Sequence, residues 1–263
     1  MLEFTRYEGR RRVRGSLLMT AGIGALVVLY VSIFPSFERS GVDLDEYVEA
    51  FPPAMVEAFG IESLGTIEGF LAAELYAFAW VLLLGLYLAY SAASTVAGAV
   101  EDGRMDLRLS LPVSRRRIVG ETFLSLLVPI VVVNVLTPIV VYAGIALIGE
   151  SISVADLVAV HALSIPYLLA CTAIGLGISV VLDREGRAQR AALGAIFGLF
   201  MIESVVVGTD FEAIGALSPT RYFDPTAILV DGQYDLAGGA ILLAATVALV
   251  LASQVWFSRK SLE

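Results

Sequence analysis

Residues 101–120, EDGRMDLRLSLPVSRRRIVG, set five arginines and three acids in one short polar stretch. Leu107, Leu109 and Leu111 are interleaved there with Arg104, Asp106 and Arg108, ahead of Pro112. Ser114 follows as a residue type that caps helices. Apolar groups inside a charged rim have the chemistry of docking another protein, not of making or breaking bonds. The other reactive residues are sparse. Lys260 is the sole lysine, so no G-x-x-x-x-G-K-[ST] phosphate loop exists and the chain is not itself a P-loop ATPase. His161 is the sole histidine; Ser164 lies one turn away, but no nucleophile elbow surrounds it. Neither H-E-x-x-H nor paired cysteines offer zinc ligands. His161 therefore reads as a packed polar residue, and Cys171, the single cysteine, as a small apolar packing residue.

The elements that must position the 101–120 stretch follow from composition. The 263 residues are 58% hydrophobic and 16% charged, whereas soluble domains are charged at roughly a quarter of their positions. Apolar blocks at about 16–36, 72–98, 120–148, 155–182, 190–208 and 237–257 are each near the ~20 residues that cross a ~30 Å hydrocarbon core. The expected fold is all-α and polytopic: a single domain over 1–263, a six-transmembrane-helix bundle with short interfacial and cytoplasmic helices. Residues 1–15 form the interfacial segment, because LEFTRYEGRRRVR places Leu2, Phe4, Tyr7 and Val13 among basic side chains. The apolar run after RRRVRG is too long for a signal core and lacks an A-x-A-like cleavage site, so it reads as a retained span.

Within the spans, Pro129 and Pro138 predict a kink in the third, with Asn134 between them as interhelical glue. Small residues four apart, at Ser94 and Gly98, at Gly194 and Gly198, and at Ala244, Ala248 and Ala252, fit either packing of one bundle or joining of two copies. The first external loop contains PPAMVEAFG, a short helix begun by Pro52 and Pro53. The last holds two apolar stretches divided by Pro219 and Pro225, too short to span.

Charge sets the orientation. Fifteen of the 17 basic residues fall before span 1, between spans 2 and 3, between spans 4 and 5, or after span 6, leaving Arg39 and Arg221 on the other side. The positive-inside rule then puts both termini in the cytoplasm of a multi-pass plasma-membrane protein. Acids crowd residues 38–69 and 209–236, and the net charge of −9 is mainly external. That surface repels nucleic acid. It fits either a metal-binding vestibule or an acidic face adapted to high salt. Glu74, Asp156 and Glu203 sit near the outer ends of their spans, leaving the middles almost uncharged. An ion-coupled secondary transporter, the alternative class, usually places ionisable groups near the midplane.

Glu101, Gly103 and the following LRLSLPVSRRRIVGE resemble the characteristic segment of ABC-2 type transporter permeases, in which an acid, a glycine and a leucine-rich LPVSR step lead into span 3. The basic segment with Glu8 before span 1 and the LSPTRYFDPTAIL stretch before span 6 are also similar. Arg104 and Asp106 depart from the small or apolar residues usual in that segment. The resemblance implies a permease subunit of an ATP-driven ABC transporter, an exporter of unassigned cargo. It implies a separate ABC-type ATPase subunit carrying ATP and Mg, no cofactor on this chain, and a second permease copy or paralogue. It also implies an ATPase-coupling loop of Glu101, Gly103, Arg104, Asp106, Leu107, Arg108, Leu109, Leu111, Pro112 and Arg115, with membrane lipids as surroundings.

Overall fold

A computed structural model describes residues 3–40, 64–110 and 112–260. Six helices among them are long and apolar enough to cross a membrane, and no strand occurs among the described residues. Helix α1 is Glu3–Ser40 and α2 is Ile67–Glu101. The short α3, Arg104–Leu109, links α2 to a divided third span, α4 (Arg115–Ser125) and α5 (Leu127–Ile148). Then come α6 (Val154–Val181) and α7 (Glu185–Val206). Two 3₁₀ turns, Glu212–Leu217 and Pro219–Tyr222, and α8 (Pro225–Leu229) precede α9 (Leu236–Arg259). Five of the six predicted spans each fall on one of these long elements, and the third, 120–148, falls on α4 and α5 together.

Local chemistry explains where the helices begin. Ser114 Oγ accepts the Arg117 N–H, Ser153 Oγ the Asp156 N–H, and Asp235 Oδ1 the Gly238 N–H, each bonding an amide that has no partner inside its own helix. The third span divides at Leu126. Pro129 has no N–H for the carbonyl four residues back, and Leu126 N–H bonds Phe123 O at 2.9 Å in a tighter turn. The helix is thus interrupted one turn ahead of Pro129, while Pro138 lies inside α5.

One expectation is corrected. The N-terminal segment is not a separate interfacial helix: α1 runs without a break from Glu3 into the span. Gly9 is the sole glycine among its first basic turns, and one glycine costs only about 1 kcal/mol, too little to interrupt a helix held by the packed span behind it. That span buries Ile23, Val27, Val31 and Phe34 against α5, a face at helical spacing. The short helix expected at Pro52–Gly60 lies outside the described residues.

The centre of the bundle is the pair α2–α6, with α9, α7 and α5 also packed on α6. Gly175 sits so close to Ala89 that any Cβ would run into the Ala89 carbonyl. Lipid gives apolar side chains no reason to leave it, so close backbone approach through small residues supplies the packing. Ser179 Oγ is fully buried; it accepts from the N–H groups of Val96 and Ala97 at 3.0 Å and donates to Ala93 O at 2.6 Å. Residues Ala72–Leu84 of α2 have π pitch. Tyr167 Oη of α6 donates to Val81 O in this wider stretch at 2.8 Å.

Candidate functional site

The four segments predicted to share a side of the membrane do share one end of the bundle, here called the basic end. Their contacts join them directly. Arg108 Nη2 lies 3.2 Å from Glu8 Oε1, tying α3 to the start of α1. Glu101 Oε2 accepts the Glu185 N–H at 2.8 Å, so the last residue of α2 bonds an unpaired amide of α7. Arg115 Nη1 donates to the Lys260 carbonyl. Lys260 Nζ donates to the carbonyls of Val180 and Val181 at 2.9 and 3.0 Å and pairs with Asp183 at 2.6 Å. The chain's one lysine thus closes the end of α6, where unbonded carbonyls and the helix dipole favour a cation.

Helix α3 is the element within the candidate loop. Gly103 takes φ +69°, the left-handed region, to turn the chain between α2 and α3, and no other residue type does so without strain. Met105 is 1% exposed and enters an apolar cluster with Val96, Val119, Leu126, Val180 and Phe257. Leu109, four residues on, packs partly against the same cluster, whereas Leu107 on the other side is 72% exposed. Asp106 is exposed, and Arg104 forms an exposed pair with Asp102 at 2.6 Å. Pro112 is exposed between α3 and α4, and Leu111 lies outside the described residues. Burial pushes the Arg108 guanidinium below its ordinary range, and Glu8 opposes that shift.

Sequence reasoning grouped the leucines as one contact surface, and α3 separates them. It missed Met105 as the anchor, and it missed Glu8 and Glu185 as partners of the loop. The spacing of Met105 and Leu109 signalled the first, since residues four apart share a helix face. Nothing local signals the second, because Glu8 is 100 positions from Arg108 and Glu185 is 84 from Glu101.

A second polar group lies within the spans. Tyr76 Oη is 3.0 Å from His161 Nε2, and Trp80 meets the imidazole edge-on with centroids 4.8 Å apart. Ser164 Oγ donates to Asn134 Oδ1 at 2.9 Å, joining α6 to α5. These side chains form a buried polar network, and the bond between Ser164 and Asn134 crosses from one helix to the other, the role expected for Asn134. At the bundle's other end, Arg221 pairs with Glu212 at 2.6 Å and with Glu203 at 3.7 Å, while Tyr234 Oη donates to Asp156. Asp156 and Glu203, acids near the ends of their spans, are thereby engaged outside the bundle's middle.

Six helices long and apolar enough to span a membrane, with charged groups gathered at the two ends of the bundle and a helical loop where the basic segments converge, make this an all-α multi-pass membrane protein. Residues 7–262, nearly the whole chain, match the family described as ABC-2 family transporter protein. The chain belongs to that family, whose members form the transmembrane component of ABC transporters. No curated protein matches it.

Proposed function

We propose that this chain is the permease subunit of an exporter powered by a separate ABC-type ATPase, which docks on α3 at the cytoplasmic side. The carrying observation is the construction of α3: Met105 anchors it inward, while Leu107, Arg104 and Asp106 face outward at a junction of α1, α2, α4 and α7. A partner gripping the exposed face would move four spanning segments through Glu8–Arg108, Glu101–Glu185 and the covalent links to α2 and α4. ATP and Mg belong to that partner, since a phosphate-cradling lysine loop is missing from the sequence.

Two permease chains, copies or paralogues, enclose the path. Gly194 and Gly198 of α7 support this, because none of the described residues outside their own helix turn lies within 4 Å of where their Cβ atoms would be. Gly98, in contrast, is occupied within the chain by the Glu185 side chain. The basic end faces the cytoplasm of the plasma membrane on the 15-to-2 division of basic residues, lipids surround the bundle, and nucleic acid has no part.

Co-purification from native membranes, with ATPase assays of the isolated and assembled chains, tests the proposal. The isolated chain should hydrolyse no ATP, and a P-loop subunit should accompany it when extraction is gentle. Robust hydrolysis by the chain alone would overturn the division of labour. Orientation is tested by single-cysteine labelling in a Cys171→Ala background. Label reaching position 108 only from outside would reverse the topology.

A further inference from the structure

At the basic end a cavity of about 270 Å³ opens between α1, α2, α3, α4 and the start of α7. Arg11 and Arg12 line it from α1, and Arg104 and Arg108 from α3, against the carboxylates of Glu8 and Glu185. Four guanidinium groups face these two carboxylates, and with Asp102, which pairs with Arg104, the formal excess is one positive charge. Thr122 of α4 also lines the cavity; it is 3% exposed, and its Oγ1 has no hydrogen-bond partner among the described residues. Arg12 Nε is likewise buried without a partner.

Buried polar atoms are nearly always bonded, and an orphan one costs about 1–3 kcal/mol in general. Here a guanidinium donor and a hydroxyl are orphaned in the same positively charged space. Both atoms lie under the cavity wall, so an anion rich in acceptor oxygens bonds them once the Arg12 and Thr122 side chains turn toward it, and guanidinium groups match phosphate oxygens in geometry as well as charge. Depth identifies the source. Helix α2 has 35 residues, about 50 Å at 1.5 Å each, so it exceeds a ~30 Å hydrocarbon core by about 10 Å at either end. Ser94 and Thr95, which form the cavity's wall on α2, stand about 10 Å inward from Glu101 at that rise. The cavity therefore spans the layer between the hydrocarbon boundary and water, where lipid phosphates lie. Basic pockets between spanning helices at the cytoplasmic face are settings for phosphorylated head groups.

We propose that this cavity holds the phosphate of an anionic inner-leaflet lipid, clamped between the arginines of α1 and α3 and the Thr122 hydroxyl. The assignment to the inner leaflet rests on the cytoplasmic placement of the basic end proposed above. A phosphate there bridges the docking helix to α1 and α4, so the lipid stiffens the joint through which the ATPase acts.

The test uses the full-length chain, delipidated in neutral detergent, with its unfolding temperature followed during titration and retained lipid counted by native mass spectrometry. The probes are dioleoylphosphatidylglycerol, dioleoylphosphatidylcholine, glycerol 3-phosphate and inorganic phosphate. Phosphatidylglycerol should raise the unfolding temperature and remain bound at one per chain, while the other three should do neither. Arg12→Gln and Thr122→Val should each weaken its apparent affinity about tenfold, the loss of one charge-assisted bond. Thr122→Val removes an orphan hydroxyl, so it should not lower the unfolding temperature of the lipid-free chain. Arg14→Gln, an exposed charge on the same helix, should bind as the parent does. Equal stabilisation by glycerol 3-phosphate or inorganic phosphate would overturn the lipid as source. Unchanged binding in both cavity variants, or an equal loss in Arg14→Gln, would overturn the site. No ATPase enters this assay, so failure here is distinct from failure of docking on α3, which co-purification reads.

Discussion

Where α2 meets α6, backbone lies against backbone; where α2 gives way to α3, charged side chains hold the chain together. In the first region Gly175 faces Ala89 with no room for a methyl group, and Ser179 is bonded into the α2 backbone. In the second, Glu8–Arg108 and Arg104–Asp102 sit beside an open cavity, and buried Met105 with half-buried Leu109 anchors the helix. Close-packed contacts are stiff because any displacement overlaps atoms. Ion pairs near water exchange partners at little cost. The same helix is therefore rigid along its length and adjustable at its end, an arrangement suited to receiving a push there and carrying it whole into the bundle.

The contrast can be broken most severely at the seam. Gly175→Val should force α2 and α6 apart and destabilise the protein by about 3 kcal/mol or more; thermal unfolding in detergent with size-exclusion profiles measures it, and a parental unfolding temperature would show that the seam yields. Ser179→Ala should cost less, about 1–3 kcal/mol, by removing a buried hydroxyl from three backbone groups. At the basic end, Leu107→Asp should leave the unfolding temperature unchanged and weaken ATPase association about tenfold, the equivalent of ~1.4 kcal/mol. Full association of that variant would leave α3 as a topological linker. Smallest should be Asp102→Asn, at most about 1 kcal/mol for the exposed ion pair with Arg104, and the effect should shrink as salt is raised. A salt-independent loss would place that pair with the rigid seam.

The spans were legible because twenty-residue apolar runs have few alternatives, and Ser114 marks the start of α4 by its residue type and its place after Pro112. The side shared by the basic segments was equally legible from the arginines. Inside the loop, the period misled: Leu107, Leu109 and Leu111 repeat every two residues, whereas α3 turns every 3.6 and buries Met105 with Leu109. Leu107→Asp is for that reason the informative substitution, since a charge at Leu109 would first disturb the chain's own packing. The unbroken α1 escaped notice because basic and apolar residues mixed over LEFTRYEGRRRVR suit a surface-lying helix and a spanning one alike. The partners Glu8 and Glu185 are products of tertiary folding. Only the closed bundle brings them to Arg108 and Glu101.

The position of Lys260 gives the molecule one distinctive chemical handle. Its ammonium is the chain's only lysine amine, and it is engaged by two carbonyls and one carboxylate at the end of α6. Acylation would turn that cation into a neutral amide with a single N–H, leaving at least two of those acceptors without their donor and the Asp183 charge without its counterion. Reagents that modify amines therefore have one side-chain target on this protein beside the α-amine, and the slowness with which they reach Lys260 measures how firmly those three acceptors hold it.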